Sequence, residues 1–133
     1  MQAYLAKTDP ETYSILDLER EKRTVWDGVT HPQAVKAIQA MHKGDWVFIY
    51  HSGGEPAVVG LATVAAAPRP DPKNPKSWVV DLRFARRLSP PTTLGEVKAD
   101  AQFASWALVR QGRLSTMEAP EAFVEWMKER YDL

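Results

Sequence analysis

The amino-acid sequence predicts an α+β fold in which helices pack against a small curved sheet, or a partly closed barrel, of five to six mostly antiparallel strands. Two observations lead to this prediction. Short segments rich in β-branched and aromatic residues recur along the chain, and glycine or proline bounds most of them. Segments with apolar residues at helical spacing follow the first of these strands and close the chain. Packing the helices on the sheet buries both sets of apolar faces.

Composition narrows the class of protein. The 133 residues are close to the usual size of one domain, so we expect a single domain over residues 1–133. Lysine plus arginine and aspartate plus glutamate both number 17, so the overall charge does not attract nucleic acid. Cysteine is absent, which excludes disulfides and thiolate metal sites. We find no apolar run of transmembrane length and no secretory leader. We expect a soluble, cytoplasmic monomer with no membrane contact, metal or cofactor.

The first third of the chain predicts a strand followed by two helices. The strand covers Ala3–Lys7. The first helix covers Ser14–Glu21, and Ser14 is a candidate N-cap because an aspartate follows three residues later. The second helix covers Thr30–Lys43, with Thr30 as N-cap and Gln33 reaching back in a capping box. Gly44 is placed to end this helix.

The middle of the chain predicts three further strands. Asp45–Ser52 and Pro56–Ala67 form a hairpin across two glycines, and Ser77–Leu88 alternates apolar and charged residues. Gly60 lies inside the second of these strands, where glycine is typical of a bulge or of a close backbone approach. The proline-rich segment Pro68–Lys76 is expected to be a surface loop.

The last third of the chain predicts a short helix, a short strand and a closing helix. The short helix falls in residues 92–100, and a last strand falls within Leu108–Ala119. The closing helix begins near Pro120, which suits the first turn of a helix. Phe123, Trp126 and Met127 form its apolar stripe.

Six segments together carry a resemblance to a known family. They are Lys7-Thr8-Asp9-Pro10, VWDGV (25–29), GDWVFIYHS (44–52), VVGLA (58–62), VVDLRF (79–84) and LVRQGRLS (108–115). In this order they resemble the EVE domain family, which belongs to the PUA-like folds and is related to YTH domains. The resemblance extends from Ala3 to about Trp126. It implies a PUA-like pseudo-barrel and a non-catalytic reader that holds a flipped, modified base of DNA or RNA in an aromatic-lined pocket.

A reader of this kind needs a flat surface for stacking, a few hydrogen-bonding groups for the base edge, and cations for the adjacent phosphates. Trp26 is the candidate stacking surface. The Asp27-Gly28 turn that follows separates Trp26 from the next helix, so the orientation of the ring does not depend on that helix. The base-binding residues that we expect are Lys7, Thr8, Trp26, Asp27, Thr30, His31, His51, Ser52 and Ser115. The candidates for phosphate contact are Arg83, Arg86, Arg87, Arg110 and Arg113.

Structural roles are alternatives for several of these residues. Trp26 could be a core tryptophan, and His51 could be a hydrogen-bonded structural histidine. Arg113 could tie the barrel together by an ion pair. The resemblance also departs at one place, because members of the family often have Arg-Asn where this chain has Thr30-His31.

Enzyme functions find little support in the sequence. The three histidines lack the spacing of metal ligands, and neither a nucleophile elbow nor a phosphate-binding loop occurs. One enzyme alternative remains, a hydrolase of modified nucleosides that would use Lys7-Thr8-Asp9 and Asp27, with a lysine pKa lowered by burial. A second alternative is an interaction module that has lost ligand binding. For the reader, the base is expected to derive from cytosine or adenine.

Overall fold

The computed structural model describes residues 2–133, which contain six strands and five α-helices. The strands are β1 (Ala3–Thr8), β2 (Arg23–Trp26), β3 (Trp46–His51), β4 (Ala57–Asp71), β5 (Asn74–Thr93) and β6 (Thr116–Glu118). The helices are α1 (Ile15–Glu21), α2 (Pro32–Gln39), α3 (Leu94–Ala99), α4 (Ala107–Arg110) and α5 (Glu121–Tyr131).

The six strands form one open, mixed sheet in the order β2-β5-β4-β3-β1-β6. Every neighbouring pair is antiparallel except β1 and β3, which are parallel. A parallel pair needs a long crossover connection, and α1, β2 and α2 supply it. The predicted α+β fold with a mixed sheet of five to six strands is therefore confirmed, and β2 and β6 are its two edges.

Aromatic residues form the centre of the core between the sheet and α5. The ring of Phe123 lies 5.2 Å from that of Phe48 on β3 and 4.7 Å from that of Trp106. Phe123 and Met127 are fully buried, as the predicted stripe requires, whereas Trp126 is half-buried and stacks on Phe103 at 5.6 Å. These contacts fix α5 against the sheet.

The capping prediction is confirmed for α1 and wrong for α2. Ser14 and Asp17 form the complete capping box at the start of α1. At α2 the N-cap is His31, whose Nδ1 accepts a hydrogen bond from the backbone N–H of Gln33, and not Thr30. The physical reason is Pro32, because a proline at the first helical position forces the preceding residue into the extended conformation of an N-cap.

The end of α2 also differs from the prediction. The helix stops at Gln39 rather than near Lys43. Gly44, with φ of +93°, donates its N–H to Val64 O, and the Asp45 carboxylate accepts the N–H of His42. These bonds tie the segment to the sheet before another helical turn can form.

The expectation of a proline-rich loop at residues 68–76 is wrong. Strand β4 continues to Asp71 and β5 begins at Asn74, so a two-residue turn joins the longest pair of strands. Strand β3 pairs with β4 only as far as Thr63, so the prolines of β4 lie beyond it on a free edge. Proline is tolerated on such an edge because no neighbouring strand needs its missing N–H.

Strand β2 was not predicted from the sequence. It is only four residues long, and its register places Arg23 opposite Arg83 and Trp26 opposite Val80 of β5. So short a segment carries too little alternation to be distinguished from a loop. Its pairing nevertheless places Trp26 at the edge of the sheet.

The bulge predicted at Gly60 is confirmed, and the close approach at this residue is made by a side chain rather than by backbone. The pairing of β4 with β3 and with β5 shifts register at this residue, which marks a bulge. Helix α1 approaches the same place so closely that a Cβ on Gly60 would lie 2.2 Å from Ile15 Cδ1 and 2.6 Å from Ile15 Cγ1. Glycine is therefore favoured where α1 packs on the sheet, because any larger residue displaces Ile15.

We expect Gly60→Ala to lower the free energy of unfolding by about 1–3 kcal/mol, because overpacking forces Ile15 or the strand to move. Urea unfolding measures this loss. The matched control is Gly95→Ala in α3, where only Thr93 Oγ1, at 3.8 Å, is close to the new Cβ. The control should be neutral or stabilising, since alanine favours a helix over glycine. Equal loss in both variants would contradict the close-approach argument.

Candidate functional site

A cavity of about 540 Å³ opens to solvent between edge strand β2 and the adjoining ends of β1 and β6. Its lining comprises Lys7, Thr8, Thr12, Tyr13, Glu21, Thr24, Val25, Trp26, Asp27, Gly28, Val29 and Ser115. Three strands separate β1 from β2 in the sheet order, so a flat sheet would hold them about 19 Å apart. The shared cavity therefore shows that the sheet curves to bring its two sides together.

Five of the nine base-binding residues expected from the sequence line this cavity: Lys7, Thr8, Trp26, Asp27 and Ser115. Strand pairing brings three of the five together, because β1 ends with Lys7 and Thr8 and the Lys7 N–H donates to Ser115 O at 2.8 Å. The edge strand β2 supplies Trp26 from the opposite side. The signal for these five residues was the family resemblance.

Trp26 belongs both to the core and to the cavity wall. Only 8% of the residue is exposed, and it is part of the main hydrophobic cluster. The ring of Tyr13 meets the Trp26 ring edge-on, with centroids 6.1 Å apart. Gly28 has φ of +78°, a left-handed conformation that turns the chain sharply after Asp27. This turn places Asp27 and Val29 beside the ring in the same lining.

Tyr13 is held rigidly, although no motif in the sequence pointed to it. Its hydroxyl donates to Glu21 Oε1 at 2.7 Å, and its carbonyl oxygen accepts from the Thr8 hydroxyl at 2.7 Å. Burial, more than any neighbouring group, raises the pKa of Tyr13 to about 12. The phenol therefore remains a hydrogen-bond donor at neutral pH. Because its ring contacts Trp26, this network also fixes the plane of the indole.

Lys7 provides a positive charge inside the cavity. Its Nζ donates to Gly112 O at 3.0 Å and lies 5.4 Å from the centre of the Tyr50 ring. Burial lowers the pKa of Lys7, because the charged form loses water. Neither of these two contacts is a carboxylate, so the amine is available to an acceptor on a bound group.

Other polar groups in the lining complement Lys7. Asp27 is exposed at the mouth and offers carboxylate oxygens, while Ser115 and Thr24 are half-buried hydroxyls. Thr12, Thr24 and Glu21 are lining residues that the sequence did not indicate. The arrangement suits a planar group that presents both donors and acceptors along its edge.

Four expected base-binding residues lie outside the cavity lining. Thr30 is exposed, and His31 caps α2. His51 is opposite Thr8 in the β1–β3 register, but its Nε2 accepts the Ile15 N–H at 3.1 Å and so caps the start of α1. Ser52 donates to Thr8 O at 3.3 Å. His31, His51 and Ser52 therefore make hydrogen bonds within the fold and do not line the cavity.

The arginines proposed for phosphate contact lie in two regions. Arg83, Arg86 and Arg87 are exposed on β5, where Arg87 pairs with Glu19 at 3.4 Å. Arg110 and Arg113 are exposed at the end of α4 and shortly before β6. Arg113 is the nearer of these two to the cavity in sequence, since Ser115 lines it.

Residues 2–133 hold no cluster of three or more histidine, aspartate or glutamate side chains able to bind a metal ion. Within the same residues, no helix combines the length and apolar character needed to cross a membrane.

A family comparison covers nearly the whole chain. The model of the EVE domain matches residues 2–130. This match includes every strand and every residue that lines the cavity.

Individual relatives agree with the family match. The chain is 31% identical to human thymocyte nuclear protein 1 over 72% of its own length and 55% of the relative. It thus spans about half the length of the curated relatives it matches. A crystal structure of human THYN1 in complex with DNA containing 5-methylcytosine has a TM-score of 0.87 at 26% identity, covering 98% of both chains. A solution structure from Rhodopseudomonas palustris has a TM-score of 0.90 at 28% identity, covering 99% of this chain and 94% of that one.

The contact between His51 and Ile15 predicts a dependence of stability on pH. Burial lowers the pKa of His51, so the unfolded chain takes up the proton more readily than the folded chain. Stability should therefore fall as the pH drops below about 6.5, the usual histidine value, and level off below the lowered pKa. Protonation also removes the acceptor for the Ile15 N–H.

Thermal unfolding at several pH values tests this expectation. His51→Gln keeps an acceptor without a titrating group, so its stability should change less over the same pH range than that of the unmodified chain. His42→Gln is the control, because His42 is exposed. The prediction is contradicted if His42→Gln flattens the pH profile and His51→Gln does not.

Proposed function

The chain belongs to the EVE domain family, and we propose that it binds a modified base of nucleic acid in the cavity beside Trp26, with the base flipped out of its stack. The observation that carries this proposal is the cavity itself, in which an aromatic wall, a half-buried cation and a carboxylate converge from separate strands and turns. Its volume of about 540 Å³ lies within the range of small-molecule sites. The complex of the related human protein with methylated DNA supports the choice of ligand.

The lining residues match the chemistry of a cytosine. The exposed part of Trp26 forms a wall for stacking, which contributes about 1–3 kcal/mol per base. Asp27 accepts from an exocyclic amino group, as carboxylates accept from the N4 amino group of cytosine. Lys7 donates to a ring carbonyl or ring nitrogen. An adenine-derived base offers the same amino group beside a ring nitrogen, so both bases belong in the test, with 5-methylcytosine first.

The site is proposed to act by binding and not by catalysis. The Trp26 ring provides a stacking surface for the base, and Lys7 provides a donor for its edge. Extruding a base costs a few kcal/mol, and stacking together with the polar contacts offsets this cost. A methyl group on the base adds apolar surface against Val25, Trp26 and Val29.

We expect Trp26→Ala to weaken binding of an oligonucleotide with one 5-methylcytosine by roughly 5- to 150-fold and to erase the preference over the unmodified oligonucleotide. Fluorescence anisotropy with the two otherwise identical oligonucleotides measures both effects. Thermal unfolding must accompany it, because Trp26 also packs in the core.

Trp26→Phe is the matched variant, since it keeps a flat ring and most of the core contact. It should retain the preference with a smaller loss of affinity. If the protein without substitutions binds the methylated and unmethylated oligonucleotides equally, recognition of the modified base is excluded. If it binds no oligonucleotide or nucleoside, the interaction-module alternative is favoured.

A second candidate function is hydrolysis of a modified nucleoside, which the half-buried Lys7 amine favours because burial lowers its pKa. For a reader, modified nucleosides incubated with the protein should remain chemically unchanged by mass spectrometry. Lys7→Ala should then weaken binding only. Formation of a product that requires Lys7 would establish the hydrolase and displace the reader.

A further inference from the structure

We propose that a cationic depression on the outer face of the sheet, formed by Glu19, Lys22, Arg23, Arg83 and Phe84, binds the phosphodiester next to the extruded base. The depression has a volume of about 500 Å³. This inference rests on the proposed function, because it concerns the nucleic-acid strand that leaves the cavity. It adds Lys22 and Arg23 to the arginine expected from the sequence, and it assigns them one ligand group.

Like charges face each other in this depression. Arg23 on β2 lies directly opposite Arg83 on β5, and Lys22 precedes Arg23 at the end of α1. Like charges directly opposite each other in a sheet destabilise it, and a bound anion relieves their repulsion. A phosphodiester supplies that negative charge, and guanidinium groups bind its oxygens in pairs.

The carboxylates nearby are already occupied. Asp81 accepts from Arg23 at 2.8 Å and from Arg69 at 2.9 Å, and these hydrogen bonds lower the pKa of Asp81. Glu19 pairs with Arg87. Within residues 2–133, no carboxylate oxygen lies within 4.0 Å of the charged nitrogens of Lys22 or Arg83.

The region therefore carries a local excess of positive charge in a chain whose net charge is zero. The depression and its ion-pair partners contain five cations and two carboxylates, Glu19 and Asp81. Glu21, next to Lys22, adds a third carboxylate, which leaves two positive charges. Both Arg23 and Arg69 keep 47% of their side-chain surface exposed while bound to Asp81. Asp81 thus orients the two guanidinium groups without using all of their donors.

The depression and the cavity meet at strand β2. Arg23 lines the depression, and the next residues, Thr24, Val25 and Trp26, line the cavity. Because β2 is an edge of the sheet, no further strand separates the two surfaces. Val25 lies between them with 47% of its surface exposed. A strand leaving the cavity over Val25 therefore meets the cations directly, and Phe84 offers apolar surface to its sugar.

The experiment compares Lys22→Gln/Arg83→Gln with a control double variant, Lys43→Gln/Lys98→Gln, which removes two exposed cations from the segment after α2 and from α3. Fluorescence anisotropy at several salt concentrations follows the 5-methylcytosine oligonucleotide and its unmodified counterpart as single strands. The first variant should weaken both oligonucleotides alike, by roughly twofold to fivefold for each cation. Its salt dependence should fall by about 0.7 in slope for each phosphate that the variant no longer binds. The control should leave the affinity and the slope unchanged.

The outcomes separate this inference from the proposed function. If the protein without substitutions binds both oligonucleotides equally, recognition of the modified base is overturned. Binding of the oligonucleotide without 5-methylcytosine still tests whether the depression binds phosphate. The inference is overturned if the first variant keeps the original slope, if the control loses as much affinity, or if the unmodified chain binds neither oligonucleotide. A change in the preference for the methylated base would place Lys22 or Arg83 at the base instead of the phosphate.

Discussion

The contact of helix α1 with the sheet at Gly60 is the constraint on which the remainder of the site depends. Ile15 occupies the space that a side chain at residue 60 would fill, and His51 accepts the N–H of the same isoleucine. Only Lys22 lies between α1 and β2, so the position at which α1 packs on the sheet also sets the position of edge strand β2. Trp26 on β2 and Tyr13 just before α1 are placed by this contact. The packing of α1 on the bulge at Gly60 therefore sets the positions of the residues on this side of the cavity.

Trp26 couples the stability of the protein to its proposed ligand binding. The ring contributes to the main hydrophobic cluster and also forms part of the cavity wall. Tyr13 holds it from one side through a hydrogen bond to Glu21. A wall fixed in this way loses little conformational entropy when a base stacks on it, which favours binding.

Charge is distributed unevenly in a chain with equal numbers of acidic and basic residues. The lining of the cavity contains a single cation, the half-buried Lys7, and the surface next to it carries an excess of positive charge. A neutral total charge therefore does not exclude contact with nucleic acid, because electrostatic attraction depends on local charge within about a Debye length. The positions of Asp81 and Glu19 decide which cations remain for a ligand.

The sequence by itself determined the features that depend on neighbouring residues. It specified the N-cap of α1, the strands β1, β3 and β5 in outline, the bulge at Gly60, and most of the buried stripe of α5. The family resemblance narrowed the predicted α+β fold to a PUA-like one, and it supplied five residues that the structure gathers in one cavity.

Only the tertiary structure decided the features that depend on pairing across the sheet. Strand β2 is recognisable because β5 pairs with it, and Tyr13 enters the site because α1 packs beside Trp26. The opposition of Arg23 and Arg83 follows from the same register. The prolines of β4 are accommodated because β3 begins opposite Thr63 and does not extend alongside them. Local periodicity reports which face of a segment is apolar, but it carries no information about which distant segment lies opposite.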